Sequence, residues 1–181
     1  YGYEVVGKTL HEVNKIQELC DDDLRLLVDE DSLSAFRKRA MTPDRPVLRG
    51  TAQNPDTFFQ AREACNPFYE DCPRHVKEVM EQFAARTGRR YGLFDYVGDA
   101  EAERVIVLMG SGAQTAERTA RHLCDHGQRV GVLKVRLYRP WSNEDFVRAL
   151  PPTVRRVAVL DRTKEPGALG EPLYQDVVCA L

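Results

Sequence analysis

Charged side chains follow an apolar run near the end of the chain. Residues 157–160, Val-Ala-Val-Leu, are typical of a buried strand, and a loop rich in charge, proline and glycine comes directly after them. Ligands and partners usually meet open α/β sheets at the carboxyl ends of the strands. A solvated connection explains the same pattern, so both interpretations stay open. The loop supplies five candidate residues for docking or anion binding: Asp161, Arg162, Thr163, Lys164 and Glu165.

Two further apolar runs end in residues that could bind an anion. Ser111 and Gly112 follow the first, where small residues at the start of a helix expose backbone N–H groups. Since the third glycine of a dinucleotide fingerprint and the Gly-Lys-Ser/Thr of a P-loop are both absent, a tight strand-to-helix turn is the favoured interpretation. Arg136 and Arg139 follow the second run, where guanidinium groups could clamp carboxylates or phosphates. Stacking at a domain interface is the favoured alternative for this pair.

The sequence assigns no catalytic, cofactor-binding or metal-binding residue. His122 and His126 have a spacing that can bind metal, but no third ligand accompanies them in the right frame. No nucleophile can be matched with a base and its partner. The five cysteines are scattered without a Cys-x-x-Cys pair, which predicts reduced thiols rather than a disulfide framework or a metal cluster.

Composition narrows the class of protein. The chain has 181 residues, of which 43% are hydrophobic, enough for one core domain with an appendage. With 26 Lys and Arg against 28 Asp and Glu, bulk charge favours neither a nucleic-acid surface nor an acidic tail. No apolar run is long enough to cross a membrane, and the first thirty residues lack a secretion signal. A cytoplasmic protein without nucleic-acid or membrane partners is therefore expected.

The second half of the chain alternates apolar runs with amphipathic segments. The pattern predicts strands at residues 105–109, 130–135 and 157–160, and helices at 113–126, 143–150 and 171–181. Strands that alternate with helices are typical of βαβ units with a parallel sheet. A further helix is predicted from Pro73 to Arg86. The fold class predicted for residues 73–181 is therefore α/β, with a mainly parallel sheet flanked by helices.

The first half of the chain has a different organisation. Residues 1–40 are polar and helical in character, with acidic helix starts at residues 21–23 and near Asp31. Residues 41–57 contain three prolines and a glycine, which argue against one long regular element. The sequence thus predicts an N-terminal helical appendage over 1–40 and an extended arm or linker over 41–72.

Six segments carry a resemblance to a known family: 11–16, 47–56, 94–98, 110–112, 137–140 and 157–174. Together they resemble the pyruvate:ferredoxin or flavodoxin oxidoreductases. The resemblance covers nearly all of residues 11–181 and falls on the second domain of the family, which is similar to the C-terminal domain of transketolases. Residues 1–40 would then be the tail of the preceding thiamine-binding domain.

The resemblance implies an activity for a larger enzyme. Members of the family oxidise pyruvate with coenzyme A to acetyl-CoA and carbon dioxide, using thiamine diphosphate, magnesium and iron–sulfur clusters, and they reduce ferredoxin or flavodoxin. This chain lacks the family's diphosphate-binding Gly-Asp-Gly motif and its cysteine runs, so we expect it to bind no cofactor and to be inactive alone. It would dock onto the other domains and the dimer mate. The alternative is a stand-alone module that recognises an anionic ligand or partner at the strand ends.

Overall fold

The computed structural model describes residues 18–47, 50 and 52–181. Contacts between residues divide the described chain into a first unit that ends at Arg90 and a second unit that spans Tyr91–Leu181. The segment 11–16, which carries part of the resemblance, lies outside the described residues, as do positions 48, 49 and 51.

The first unit is helical. Its helices are α1 (Asp21–Leu27), α2 (Glu30–Lys38), α3 (Pro55–Ala64) and α4 (Asn66–Thr87). Helix α2 begins where the sequence favours a cap, because the Asp29 carboxylate accepts a hydrogen bond from the backbone N–H of Ser32 at 2.9 Å. None of these four helices has a fully buried residue. Within the described residues the unit therefore has no closed apolar core of its own.

The predictions for residues 41–86 need two corrections. The extended arm over 41–72 is wrong from Pro55 onward, because α3 and the first turns of α4 occupy those residues. The helix expected to start at Pro73 begins at Asn66 instead, and Pro73 lies in its interior. In both helices a proline stands in the first turn, where its missing N–H costs nothing, and this start signal was overlooked.

The second unit contains a four-stranded sheet. Its strands are β1 (Phe94–Gly98), β2 (Arg104–Leu108), β3 (Val130–Val135) and β4 (Arg156–Val159), in the spatial order β1-β3-β2-β4. Strands β3, β2 and β4 are parallel, whereas β1 pairs with β3 in the antiparallel direction. The helices are α5 (Gly112–Asp125), α6 (Asn143–Ala149) and α7 (Pro172–Ala180). The prediction of a mainly parallel sheet flanked by helices is confirmed.

The α/β unit begins later than predicted. The compact unit starts at Tyr91, so the helix expected to open this domain at residue 73 belongs to the first unit. Strand β1 was not predicted as a strand from periodicity, because its sequence Phe-Asp-Tyr-Val-Gly has no clear alternation of apolar and polar residues. Its pairing with β3 makes it an edge strand.

The two faces of the sheet are covered unequally. Leu108 packs with Ala113, Ala116 and Ala120 of α5, and Ile106 shares that face because side chains alternate along a strand. Ile106 nevertheless keeps 36% of its surface exposed. On the opposite face Val107 is fully buried, and α6 and α7 supply the buried Phe146 and Leu173. Among the described residues, every fully buried apolar side chain lies between Leu93 and Val177.

Candidate functional site

Three loops meet at the carboxyl edge of the sheet. Because β2, β3 and β4 are parallel, the segments that follow them lie along one edge of the sheet. Residues 109–111 follow β2, which lies between β3 and β4. Residues 136–142 follow β3, and residues 160–171 follow β4. The nine residues predicted as docking or anion-binding candidates thus lie on segments that leave this edge, although their side chains do not form one cluster.

Asp161 organises the loop after β4. Its carboxylate accepts hydrogen bonds from the backbone N–H of Leu173 at 2.9 Å and from the hydroxyl of Thr163 at 2.9 Å. Leu173 lies in the first turn of α7, so Asp161 satisfies an N–H group that has no partner within its own helix. Partial burial acts to raise the pKa of Asp161, but the hydrogen bonds from Leu173 and Thr163 outweigh it, and the pKa lies below its usual value.

Lys164 and the backbone of Glu165 contact Glu171, the residue that precedes α7. The ammonium group of Lys164 lies 3.3 Å from one carboxylate oxygen of Glu171, and the backbone N–H of Glu165 donates to the other at 3.0 Å. The side chain of Glu171 is only 13% exposed. The Lys164 ammonium and the backbone N–H of Glu165 are therefore bound by Glu171, which stabilises the loop and leaves them less available to a ligand.

The two arginines predicted as a pair are separated. Arg136 forms an ion pair with Asp95 of β1 and lies over the ring of Tyr91, with 4.4 Å from guanidinium carbon to ring centroid. Arg139 instead contacts Asp176 of α7 at 2.7 Å. Each guanidinium thus has a carboxylate partner within the unit, and a shared clamp on one anion is not what the structure shows.

Ser111 and Gly112 form the turn expected from the sequence. Gly110 has φ +80°, which favours glycine, and its carbonyl accepts a hydrogen bond from the N–H of Ala113 at 3.1 Å. Ser111 precedes α5 without a side-chain capping bond. A Cβ atom at Gly112 would meet only Leu108, at an ordinary 3.6 Å, so close approach of a ligand is not required to explain this glycine.

Beside this edge, an apolar groove runs along the sheet. It has a volume of about 740 Å³ and lies between α5 and the exposed face of β2 and β4. Its apolar lining includes Ile106, Leu123 and Leu160, which are 36%, 38% and 50% exposed. Helix α5 covers β3, β1 and part of β2 on this face, so the part of the face nearest β4 is left open among the described residues.

The described residues contain no cluster of metal-ligating side chains. No group of three or more His, Cys, Asp or Glu side chains in the described part of the chain could hold a metal ion. The five cysteines are unpaired. His126 contacts the backbone carbonyl of His122 at 2.7 Å through its Nδ1 atom. These described side chains therefore offer no ligand set for a metal ion or an iron–sulfur cluster.

Between residues 18 and 181, positions 48, 49 and 51 apart, no helix is both long enough and apolar enough to cross a membrane.

Comparison with known proteins identifies the family. Residues 102–181 match the pyruvate:ferredoxin oxidoreductase core domain II, and residues 6–81 match the thiamine diphosphate-binding domain of pyruvate flavodoxin/ferredoxin oxidoreductases. The chain belongs to the pyruvate:ferredoxin/flavodoxin oxidoreductase family. The resemblance inferred from the sequence is confirmed, and the two matches fall on the two halves of the chain.

Members of this oxidoreductase family are similar over almost the whole chain. A pyruvate-flavodoxin oxidoreductase of Rhodospirillum rubrum is 62% identical over 96% of the chain, and the pyruvate:ferredoxin oxidoreductase of Moorella thermoacetica is 56% identical over the same share. A probable pyruvate-flavodoxin oxidoreductase of Escherichia coli is 54% identical. The chain spans only 15% of the length of each of these three relatives, so it corresponds to a fragment of a much longer oxidoreductase.

Sequence reasoning missed the carboxylates that hold the candidate residues of this oxidoreductase fragment. Glu171 and Asp176 lie near and within α7, ten and fifteen positions after Asp161, and no local pattern links them to Lys164 or Arg139. The apolar groove was missed too. Its signal is present in β4 and the residue after it, where Ala158 and Leu160 are apolar on the face opposite to Val159.

Proposed function

We propose that this chain is a structural and docking part of a pyruvate:ferredoxin or flavodoxin oxidoreductase and contributes no catalytic group of its own. The parent enzyme would oxidise pyruvate with coenzyme A to acetyl-CoA and carbon dioxide and pass the electrons to ferredoxin or flavodoxin. Thiamine diphosphate, magnesium and iron–sulfur clusters would be held by other parts of the enzyme. The chain alone is then inactive.

The observation that carries this proposal is the open apolar groove beside β4. Ile106 and Leu160 are large apolar side chains exposed on a sheet face, and the groove of about 740 Å³ that they line has few polar atoms. Exposed contiguous apolar surface is typical of interaction sites. The outer side of β4 also has no strand beside it in the described residues, which leaves unpaired backbone groups at the same place.

The occupant proposed for this surface is another segment of the parent oxidoreductase. The relatives extend far beyond the matched portion, since the chain covers 15% of the length of the first of them. A strand added beside β4 would satisfy its backbone groups, and an amphipathic helix following it would fill the groove next to α5. The charged loop after β4 would then hold α7 in place rather than bind a ligand.

The remaining domain boundaries belong to the same proposal. Residues 1–40 would form the tail of the thiamine-binding domain, and the α/β unit would be the transketolase C-terminal-like domain. The absence of closed apolar packing among the described residues of α1 to α4 supports such a role, because Phe36, Phe59 and Phe68 keep 67%, 66% and 80% of their surface exposed. The parent enzyme would be a cytoplasmic dimer without nucleic-acid or membrane partners.

Substitution in the groove of the intact oxidoreductase tests the proposal. Ile106→Glu combined with Leu160→Glu would place two carboxylates against the segment that fills the groove, so we expect loss of assembled enzyme on size-exclusion chromatography. The assembled fraction should keep near-normal pyruvate-dependent reduction of a viologen dye. Val147→Glu, at an apolar position of α6 that is 47% exposed and outside the groove, is the matched control.

Two outcomes would contradict the proposal. If the double variant assembles fully with normal turnover, then no segment of the enzyme occupies the groove. If it assembles fully but loses turnover, then the groove serves the reaction directly, and the chain is more than a docking part.

A further inference from the structure

Four arginines lie together at the amino-terminal edge of the sheet, opposite the carboxyl edge from which residues 109–111, 136–142 and 160–171 leave. Each parallel strand begins at or just after an arginine, and the parallel order of β3, β2 and β4 brings these starts side by side. The four arginines line one cleft of about 430 Å³. The lining residues of this arginine cleft are Glu103, Arg104, Gly127, Gln128, Arg129, Arg155 and Arg156.

Two of the arginines are held in position by the protein. The Nη2 atom of Arg104 donates to the side-chain oxygen of Gln128 at 3.0 Å, and the Nε atom of Arg129 donates to the backbone carbonyl of Glu101 at 3.0 Å. Arg129 also contacts the carboxylates of Glu103 at 3.2 Å and of Glu101 at 3.4 Å. These contacts orient the two guanidinium groups and leave further N–H donors on each of them.

The other two arginines supply the uncompensated charge. Arg155 and Arg156 are exposed, and neither side chain has a hydrogen-bond or ion-pair partner among the residues that the structure describes. Their backbone N–H groups both donate to the carbonyl of Glu103, at 2.9 and 3.0 Å, so the backbone that carries them is fixed. The lining therefore has four arginines against one carboxylate, with the Glu101 carboxylate as a second one beside Arg129, in a chain whose net charge is −2.

From this geometry we infer that the arginine cleft binds a small anion with two neighbouring oxyanion groups, of the diphosphate class. Guanidinium groups match phosphate oxygens through paired N–H donors. Four arginines offer more donors than a single phosphate can accept, so a ligand with two adjacent phosphate groups fits the cleft better. The volume of about 430 Å³ is that of a small-molecule site, and its polar lining favours an ion over an apolar ligand. The inference does not depend on the groove beside β4.

Calorimetric titration of the 181-residue chain with inorganic pyrophosphate tests this inference. We expect saturable binding at one site, weakened by added salt, with inorganic phosphate binding at least about tenfold more weakly because it engages fewer donors. Arg155→Gln combined with Arg156→Gln should weaken pyrophosphate binding by about tenfold or more. The matched control, Arg118→Gln combined with Arg121→Gln, removes the same charge from exposed positions of α5 outside the cleft and should change the affinity by less than about twofold.

A gain-of-binding variant separates recognition from loss of folding. Glu103→Gln removes the one carboxylate of the lining and frees one N–H side of Arg129, which Glu101 still holds in position, so pyrophosphate should bind more tightly than to the unaltered chain. The inference is overturned if pyrophosphate shows no saturable binding, or if the control pair weakens binding as much as the cleft pair does. Binding of a short polyglutamate peptide without binding of pyrophosphate would also overturn it, and would indicate a protein surface instead.

Discussion

The backbone N–H of Leu173 donates a hydrogen bond of 2.9 Å to the carboxylate of Asp161, twelve residues earlier in the chain. One end of this bond is in the loop after β4 and the other is in the first turn of α7. The sequence placed Asp161 on a docking loop, whereas the structure uses its charge to fix the helix that covers β4. A carboxylate at a helix N-terminus also interacts favourably with the helix dipole.

Removal of this carboxylate should weaken the α/β unit. We expect Asp161→Ala to lower the free energy of unfolding by about 1–2 kcal/mol, because an N–H group of α7 and the Thr163 hydroxyl lose their acceptor. Urea unfolding followed by circular dichroism measures the change. Glu165→Ala in the same loop is the control, since the hydrogen bonds of Glu165 that the structure shows are made by its backbone: the N–H donates to Glu171, and the carbonyl accepts from the N–H of Ala168. Equal loss in both variants would argue against the capping role.

Stability should fall in acid for a related reason. Partial burial acts to raise the pKa of Asp161, but the hydrogen bonds to its carboxylate outweigh this effect, so the pKa lies below its usual value. The pKa of Glu117 is also lowered, first by the hydrogen bond from the Lys134 ammonium and then by the one from Arg121. A group with a lowered pKa in the folded state stabilises the fold above its unfolded pKa, and that stabilisation is lost as pH falls through the folded value. The free energy of unfolding should therefore decrease below about pH 4.

The pH dependence can be assigned by substitution. Glu117→Gln removes the ion pair with Lys134, in which the two charged atoms are 2.6 Å apart. Its unfolding free energy should lie closer to that of the unaltered chain at pH 3 than at pH 7. A constant difference between the two chains across this range would contradict the assignment.

Gly131 and Tyr96 should be energetically coupled. A Cβ atom built on Gly131 would lie 2.0 Å from the hydroxyl oxygen of Tyr96 and 2.4 Å from its ring, so Gly131→Ala forces the ring to move. The Tyr96 hydroxyl also donates to the carbonyl of Asp99 at 2.6 Å. We expect Gly131→Ala to cost about 1–3 kcal/mol, and less in a Tyr96→Ala background. A double-mutant cycle of unfolding free energies with no coupling would show that the ring does not need the glycine.

Two valines of neighbouring strands should respond differently to the same substitution. Val107 of β2 is 0% exposed, whereas Val159 of β4 is only partly buried, although the run 157–160 is typical of a buried strand. An unpaired carboxylate costs several kcal/mol in the interior and far less near water. Val107→Asp should therefore unfold the α/β unit of the 181-residue chain, while Val159→Asp leaves a cooperative transition at lower stability. A reversed order on thermal unfolding would contradict the edge position of β4.

The sequence predicted the three parallel strands well and missed the antiparallel edge strand β1. Strand β3 matches its predicted range of 130–135, because its apolar run is continuous. Strand β1 has a polar residue and a glycine within its five positions. Pro73 is a residue type that favours a helix start, so the turns of α4 that precede it were not predicted. Such elements depend on tertiary contacts that local patterns do not contain.

The sequence predicted where the candidate residues lie in the fold, but not which carboxylates they contact. Parallel topology brings the candidate segments to one edge, and this follows from the order of strands and helices alone. Arg136 forms an ion pair with Asp95, whereas Arg139 forms one with Asp176. These pairings depend on the directions of the side chains after β3. The arginine cleft did leave a signal, since Arg104, Arg129 and the pair at 155–156 each stand at or just before a strand start.

Amide hydrogen exchange at the outer side of β4 tests the docking proposal most directly. The N–H groups of Arg156 and Leu160 donate toward β2, at 3.0 and 2.9 Å, so those of Val157 and Val159 face away from it. We predict fast exchange of the Val157 and Val159 amides in the 181-residue chain and strong protection in the intact oxidoreductase, where another strand pairs with them. Exchange that is equally fast in the intact enzyme would contradict the proposal.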